Sequence, residues 1–245
     1  MFNYIPKDNI EEIAEGIVLD YLQEKAKDVT CIDIEGLLVD YFKLNIRYEN
    51  FAEDDPNVDG YISDGVTPLQ VWCNGKKIKK LYPEGTVVFD KYLLNIENSC
   101  HRRFSLAHEG GHYASHQIYG TLLGANHTGF DMERTYKMDE LRKQFSITES
   151  QMNTMAAVFL MPKFLIEKTL KQYTNGVPID VYGDTVFLQK DRDILKSMSD
   201  QLGVSPSALR IRLIKCGYIN QRPIEELVEY MKQKGGWGYD CQQRA

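Results

Sequence analysis

The sequence predicts an α+β fold, because segments with helical spacing flank a middle segment that has strand and turn signals. Residues 8–28 repeat isoleucine and leucine at three- and four-residue intervals, which is the spacing of one helical face. Residues 45–90 contain short apolar runs separated by turn residues such as Asp, Asn and Gly. Helical patterns return at residue 102 and continue into the last third of the chain.

The first half of the chain is predicted to form two helices and a small β-sheet. After the first helix, residues 34–41 form a second helix that leads into a strand over residues 45–51. Asn74-Gly75 lies between two short runs and predicts a hairpin, in which the lysine-rich second run is not buried on both faces. Residues 86–90 (TVVFD) form a buried or edge strand, and an edge at this place would let a substrate peptide add as a further strand.

The second half is predicted to be mainly helical. One helix begins near residue 102, and residues 119–143 then form a long polar loop. Another helix begins near Ser146, which stands three residues before Glu149 as in a capping box, and it ends near Pro162.

The last third of the chain has a separate character. Residues 190–201 are polar and helical, and residues 202–219 resemble a small helix-turn-helix. We therefore divide the chain into three parts. Residues 1–175 form a domain that includes the N-terminal helices and the sheet, residues 176–233 form a small helical C-terminal region, and residues 234–245 form a flexible tail.

Composition restricts the class of protein. The net charge of −6 argues against general nucleic-acid binding, although it leaves room for a local basic patch. The five cysteines are scattered without a CxxC pair, so neither a disulfide framework nor a cysteine zinc site is predicted. Reduced thiols, an acidic N-terminal segment and the lack of an apolar run of about 20 residues predict a soluble cytoplasmic protein that does not enter a membrane.

The segment His108-Glu109-Gly110-Gly111-His112 indicates a metal site. Two histidines four residues apart on a helix lie on one face, about 6 Å apart along the axis, and both reach one ion. Glu109 stands beside the first ligand, where a carboxylate accepts a proton from metal-bound water. Two imidazoles, one carboxylate and an open fourth position suit Zn²⁺. The alternative is an exposed helix that carries two histidines by chance, but Phe104, Leu106 and Ala107 predict that one face is buried.

The third ligand is less well determined by spacing. His116 continues the four-residue interval, but it lies about 12 Å along the axis from His108 and is too far to share its ion. Glu149 opens the next helix, and Asn153 one turn later is placed to accept the Nδ1 proton of a ligating histidine. The alternative is that Glu149 only caps its helix, where its negative charge interacts favourably with the positive end of the helix dipole.

The run FSLAHEGGHY, followed by ESQMNTMAAVFLMP, resembles the ImmA/IrrE family of bacterial metallopeptidases, and the resemblance extends from about residue 59 to residue 219. It implies a zincin-like catalytic domain in which His108, His112 and Glu149 bind zinc and Glu109 is the catalytic residue. It also implies an endopeptidase that cleaves a helix-turn-helix repressor and thereby regulates transcription, including that of mobile elements. The rival interpretation is a catalytically silent protein of this fold that recognises a repressor or DNA, and the intact Glu109 argues against it.

The chain departs from the family pattern at two places. Gly110 stands where the family usually has leucine, so two adjacent glycines lie in the active helix, each costing about 0.5–1 kcal/mol relative to alanine. The missing side chain leaves room for substrate or for another backbone. Met152 and Met155 replace other apolar residues of the pattern, so the core face of the second helix is expected to survive.

Two functional questions stay open at the level of sequence. Peptide hydrolysis needs a second donor to the developing oxyanion, and four residues are candidates by residue type: Tyr113, His116, His127 and Tyr136. For His127 the favoured interpretation is a solvent-exposed position in the loop. The helix-turn-helix-like segment carries three basic residues that could contact DNA: Arg210, Arg212 and Lys215. The alternative, which we favour, is that the segment packs on the catalytic domain or on a protein partner.

Overall fold

The computed structural model describes residues 6–52, 59–120 and 147–233, and these form a mixed α+β structure with small sheets. The N-terminal part is helical, as predicted. Its elements are helix α1, a 3₁₀ turn, the short helix α2 and a π-helical turn: Lys7–Leu22, Gln23–Lys27, Ile34–Gly36 and Leu37–Tyr41. Helix α2 begins where the Asp33 side chain accepts a hydrogen bond from the Gly36 amide at 3.0 Å.

The strands form three small sheets. Strands β1, β5 and β2 make a mixed sheet in that order, β3 and β4 make an antiparallel hairpin, and β6 and β7 pair in parallel. In chain order the strands are Asn45–Glu49, Gly60–Ile62, Leu69–Cys73, Lys76–Lys80, Thr86–Asp90, Ile179–Tyr182 and Ile219–Arg222. The hairpin turn was predicted correctly: Asn74 and Gly75 both have positive φ, at 49° and 75°, as a type I′ turn requires.

The later elements follow the sequence prediction in part: helices were predicted from residue 102, from Ser146 and over residues 190–201, but not over 163–174. The C-terminal region was expected to be helical, and it also contains the paired strands β6 and β7. Two 3₁₀ turns, Lys91–Leu94 and Ile96–Asn98, lead from β5 into the long helix α3, Ser99–Tyr119. The remaining helices, α4 to α8, are Ile147–Leu160, Lys163–Thr174, Gln189–Leu202, Pro206–Lys215 and Ile224–Gln233. The loop and the tail predicted for residues 119–143 and 234–245 fall largely outside the described residues, as does Ser146 of the capping box.

The three-stranded sheet separates two hydrophobic clusters. Val87 and Phe89 of β5 belong to the main core, together with the apolar faces of the helices. Val88 points to the opposite face, where Leu69 and Val71 of the hairpin complete a second, smaller cluster. Because side chains alternate along a strand, β5 joins both clusters, with helices on one side of the sheet and the β3–β4 hairpin on the other.

The prediction that residues 86–90 offer an edge to a substrate peptide is wrong. Strand β5 is the central strand, and its backbone pairs with β1 on one side and with β2 on the other. No further strand can add there, since both rows of backbone hydrogen-bonding groups are taken. The first four residues of TVVFD are all buried, so both faces of β5 are covered as well.

The C-terminal helices pack on the rest of the chain. Buried residues from α1 through α7 belong to one cluster. Arg212 of α7 is 1% exposed, donates to the Met161 carbonyl at 2.8 Å, and binds the Glu11 carboxylate of α1 at 2.7 Å. Arg212 is therefore a packing residue rather than a DNA contact. Among the described residues no helix is both long and apolar enough to cross a membrane.

Candidate metal centre

Helix α3 brings two imidazoles together at the middle of its length. His108 is buried and His112 is half-buried, and their Nε2 atoms lie 3.1 Å apart. The apolar residues predicted to hold this helix, Phe104, Leu106 and Ala107, are all buried. The buried face fixes the helix rotation, and with it the direction of both histidines.

Helix α4 supplies a carboxylate from its first turn. Glu149 is buried, with one oxygen 3.2 Å from Nε2 of His108 and the other 3.5 Å from Nε2 of His112. The potential ligand atoms of these three residues all lie within 4.8 Å of one another, and no other such group occurs in residues 6–52, 59–120 and 147–233. The three side chains are close enough to bind a metal ion.

Asn153 orients one of the histidines, as the sequence predicted. Its side-chain oxygen lies 2.9 Å from Nδ1 of His108, one helical turn after Glu149. An amide oxygen only accepts, so Nδ1 of His108 carries a proton, and Nε2, which faces Glu149 and His112, is the nitrogen that can bind a metal ion once its own proton is displaced.

The charges of the site favour a carboxylate beside protonated imidazole. Burial alone would raise the pKa of Glu149, but hydrogen bonds from His108 and His112 outweigh it and lower the pKa to about 2. Burial alone would lower the pKa of His108, but the hydrogen bond to Glu149 and the charges of Glu109 and Glu149 outweigh it and raise the pKa. A cation, whether a proton or a metal ion, is thus favoured between these groups.

The adjacent glycines allow other elements to approach α3. A Cβ on Gly111 would lie 3.5 Å from the Met152 carbonyl oxygen of α4, and one on Gly110 would lie 3.1 Å from Cδ1 of Leu38. The space at Gly110 was expected to admit substrate or another backbone; the Leu38 side chain lies there instead, and a backbone approaches the neighbouring Gly111. Met152 and Met155 are buried and keep the core face of α4, as expected.

Gly60 is a residue of this site that sequence analysis missed. A Cβ there would lie 3.0 Å from Oε1 of Glu109 and 2.9 Å from the Phe89 ring. Strand β2 can therefore pass against the buried Glu109 side chain only because residue 60 is glycine. The Asp-Gly pair at residues 59–60 was a turn signal, but it did not reveal which side chain it would meet.

A second cluster that the sequence did not reveal lies next to Gly60. The Asp59 carboxylate accepts from the Tyr92 hydroxyl and lies 2.8 Å from Nε2 of His101. These contacts attach the start of β2 to the first turns of α3. The available signal was that His101 precedes His108 by two helical turns and so shares its face.

Two of the four candidates for the second oxyanion donor, Tyr113 and His116, lie on helix α3. His116 is outside the group of potential ligands, as its distance along the helix predicted. The Tyr113 ring packs edge-on against Phe42 at 5.4 Å between centroids. His127 and Tyr136 lie outside the described residues.

Comparison with protein-family models gives no match for this chain, and comparison with curated proteins gives none either.

Proposed function

We propose that this chain is a zinc-dependent endopeptidase with a zincin-like catalytic domain, similar to the ImmA/IrrE family. The observation that carries the proposal is the convergence of His108, His112 and Glu149 with Glu109 on the same helix as the two histidines. The two helices that supply these residues appear in the order that the family pattern requires.

Zinc is the metal that fits this donor set best. Bonds of about 2.0–2.1 Å in a tetrahedron place neighbouring donor atoms about 3.3 Å apart. The Nε2 atoms of His108 and His112 are 3.1 Å apart, and the two oxygens of Glu149 lie 3.2 Å from the first and 3.5 Å from the second, which are separations of this size. Three protein ligands leave the fourth position for water or substrate, which is the pattern of a catalytic rather than a structural zinc site.

The proposed reaction is hydrolysis of a peptide bond. A zinc ion in this site would act as a Lewis acid on the scissile carbonyl and would lower the pKa of bound water. Glu109 takes the proton of the attacking water on its carboxylate and later delivers it to the leaving amide nitrogen. Gly60 confines Glu109 from the side of β2. Asn153 keeps His108 in the tautomer that exposes Nε2.

The Glu109→Gln variant tests the proposal against the catalytically silent alternative. Because glutamine cannot accept the proton, hydrolysis of a quenched fluorescent peptide library should fall by about 10²- to 10⁴-fold, while zinc content stays at the wild-type level. Glu12→Gln, an exposed position on α1, is the matched control and should change neither quantity. A zinc-loaded wild type that cleaves no peptide, or equal activity in Glu109→Gln, would favour the binding protein.

The substrate class is carried by the resemblance alone. A helix-turn-helix repressor in the cytoplasm is the expected substrate, with transcriptional control as the outcome of its cleavage. Mass spectrometry of a purified repressor after incubation with wild type and with Glu109→Gln would identify the cut bond. A repressor that forms a complex but stays whole with both proteins would contradict proteolysis.

A further inference from the structure

The β3–β4 hairpin carries a dense positive charge on an acidic chain. Strand β4 has the sequence KKIKK, with four lysines in five residues, and all five side chains are exposed. The whole chain has a net charge of −6. Lys80 is paired with Glu49 at 2.5 Å, so the positive charge comes from the three other lysines of the strand. A local positive charge on an acidic protein gives this surface a preference for anions.

The lysines stand on a fixed support. Leu69 and Val71 of β3 are buried against Tyr61, Tyr82 and Val88 in the smaller hydrophobic cluster. The far edge of β3 is also fixed, because the Trp72 amide donates to the Asn50 carbonyl at 2.8 Å. A partner would therefore meet preorganised charges, and less conformational entropy would be lost on binding.

Strand β4 has an open edge. Within the described ranges it pairs only with β3, so one row of its backbone N–H and C=O groups faces away from the sheet. Open edges of this kind bind extended peptides as an added strand. Like charges directly opposite one another destabilise a strand pair, so the lysines of β4 oppose pairing with a second copy of this edge.

The pairing register divides the β4 side chains between two faces. Lys77 and Lys79 lie opposite Trp72 and Gln70 on the outer face, whereas Ile78 lies opposite the buried Val71 on the inner face. Ile78 is 40% exposed, although it lies opposite a buried residue. An added strand would meet positive charge, an apolar side chain and positive charge at three successive positions.

We propose that the β4 edge binds an extended segment of a partner protein with the pattern acidic–apolar–acidic. The two carboxylates pair with Lys77 and Lys79, and the apolar residue between them covers Ile78 on the other face. Cross-strand pairs of opposite charge contribute about 0.2–1 kcal/mol each, and the backbone bonds of the added strand supply the remaining affinity.

Other polyanions fit the hairpin less well. The Lys77 ammonium lies over the Trp72 ring, 5.5 Å from its centroid, and so occupies a face on which a nucleic-acid base would stack. The hairpin tip is Asn74-Gly75, which offers no apolar side chain to a lipid bilayer. An acidic peptide uses both the charge and the free backbone edge.

The experiment measures fluorescence anisotropy of a labelled peptide, Thr-Thr-Glu-Val-Glu-Thr-Thr, with the full chain at low salt. We expect saturable binding that weakens about tenfold in the double variant Lys77→Glu/Lys79→Glu, since two attractive pairs become repulsive. The control Lys171→Glu/Lys190→Glu reverses two exposed lysines elsewhere and should stay within about twofold of wild type. A peptide of the same composition with valine before both glutamates should bind about fivefold more weakly.

Hydrogen exchange locates the bound peptide. The amides of residues 76–80 should exchange more slowly when the peptide is present, as in a newly paired edge. Equal binding of both peptides, no loss in Lys77→Glu/Lys79→Glu, or protection only elsewhere would overturn the proposal. Binding of an oligothymidylate or of phosphatidylserine vesicles without binding of the peptide would also overturn it. These outcomes do not depend on the metal centre, because none of the measurements uses hydrolysis.

Discussion

At the scale of single residues, the candidate metal site is built from side chains that contact one another. His108 contacts Asn153 through Nδ1 and faces His112 and Glu149 through Nε2. Each ring nitrogen thus has a defined role. The consequence is that a residue outside the ligand set controls how well the ligands bind.

Asn153→Ala should weaken zinc binding by about 10- to 100-fold, because the His108 ring loses the acceptor that fixes its tautomer and orientation. Zinc affinity measured by chelator competition checks this. Asn153→Asp keeps an acceptor at the same position and should retain most of the affinity. Equal affinities in wild type and Asn153→Ala would show that the 2.9 Å contact does not orient the ligand.

Zinc binding should also weaken on acidification, beginning above pH 6.5, the ordinary pKa of histidine. The pKa of His108 in the metal-free site is raised, since its hydrogen bond to Glu149 and the nearby carboxylates outweigh the effect of burial. A raised pKa means that the proton is held to higher pH, where it competes with the metal. Each displaced proton changes the apparent affinity about tenfold per pH unit. Affinity that stays constant from pH 8 to below 6 would contradict this.

At the scale of elements, the position of α3 is set by close approach of its neighbours. Gly110 faces Leu38 of the π-helical turn, with Phe42 and Phe159 near it, and Gly111 faces the backbone of α4. The helix gives up intrinsic propensity at two positions and gains contact with two neighbouring elements.

Gly110→Leu should lower the free energy of unfolding by about 1–3 kcal/mol, because the larger side chain overpacks against Leu38. Chemical denaturation checks this value. Gly16→Ala in α1 is the contrasting variant: no atom lies within 4 Å of its Cβ, so it should stabilise by about 0.5–1 kcal/mol. A Gly110→Leu protein as stable as wild type would show that the Leu38 side chain can move aside without a loss of stability.

At the scale of the whole molecule, an ion pair between the buried Arg212 and the partly exposed Glu11 joins the C-terminal region to the N-terminal helix. Arg212 of α7 is enclosed, and its guanidinium binds Glu11 of α1 and the carbonyl that follows α4. The C-terminal helices are therefore attached to the N-terminal helix through a charge that has little access to water.

Glu11→Ala should destabilise the protein by about 3 kcal/mol, since it leaves the Arg212 guanidinium buried without its carboxylate. Glu12→Ala, at an exposed neighbouring position, should change stability by less than about 0.5 kcal/mol. Thermal unfolding of both variants makes the comparison. A loss as small in Glu11→Ala as in Glu12→Ala would mean that Arg212 finds water or another acceptor.

The sequence by itself determined those features that depend on neighbours along the chain. The four-residue spacing of His108 and His112, the turn at Asn74-Gly75 and the position of Asn153 one turn after Glu149 are consequences of local backbone geometry. The local periodicity also gave the α+β class and the elements with clear patterns, but it missed strand β2, helix α5 and the β6–β7 pair.

Only the tertiary structure decided which elements meet. That Glu149 approaches the histidines, that Gly60 abuts Glu109, and that β5 is central rather than an edge are contacts between segments distant in sequence. Such contacts form because the apolar face of each helix or strand must be buried against another element. The apolar pattern of a segment shows that it needs such a neighbour, but it does not determine which element that neighbour is. For that reason the ligand types could be read from the residues, whereas the shape of the site around Glu109 could not.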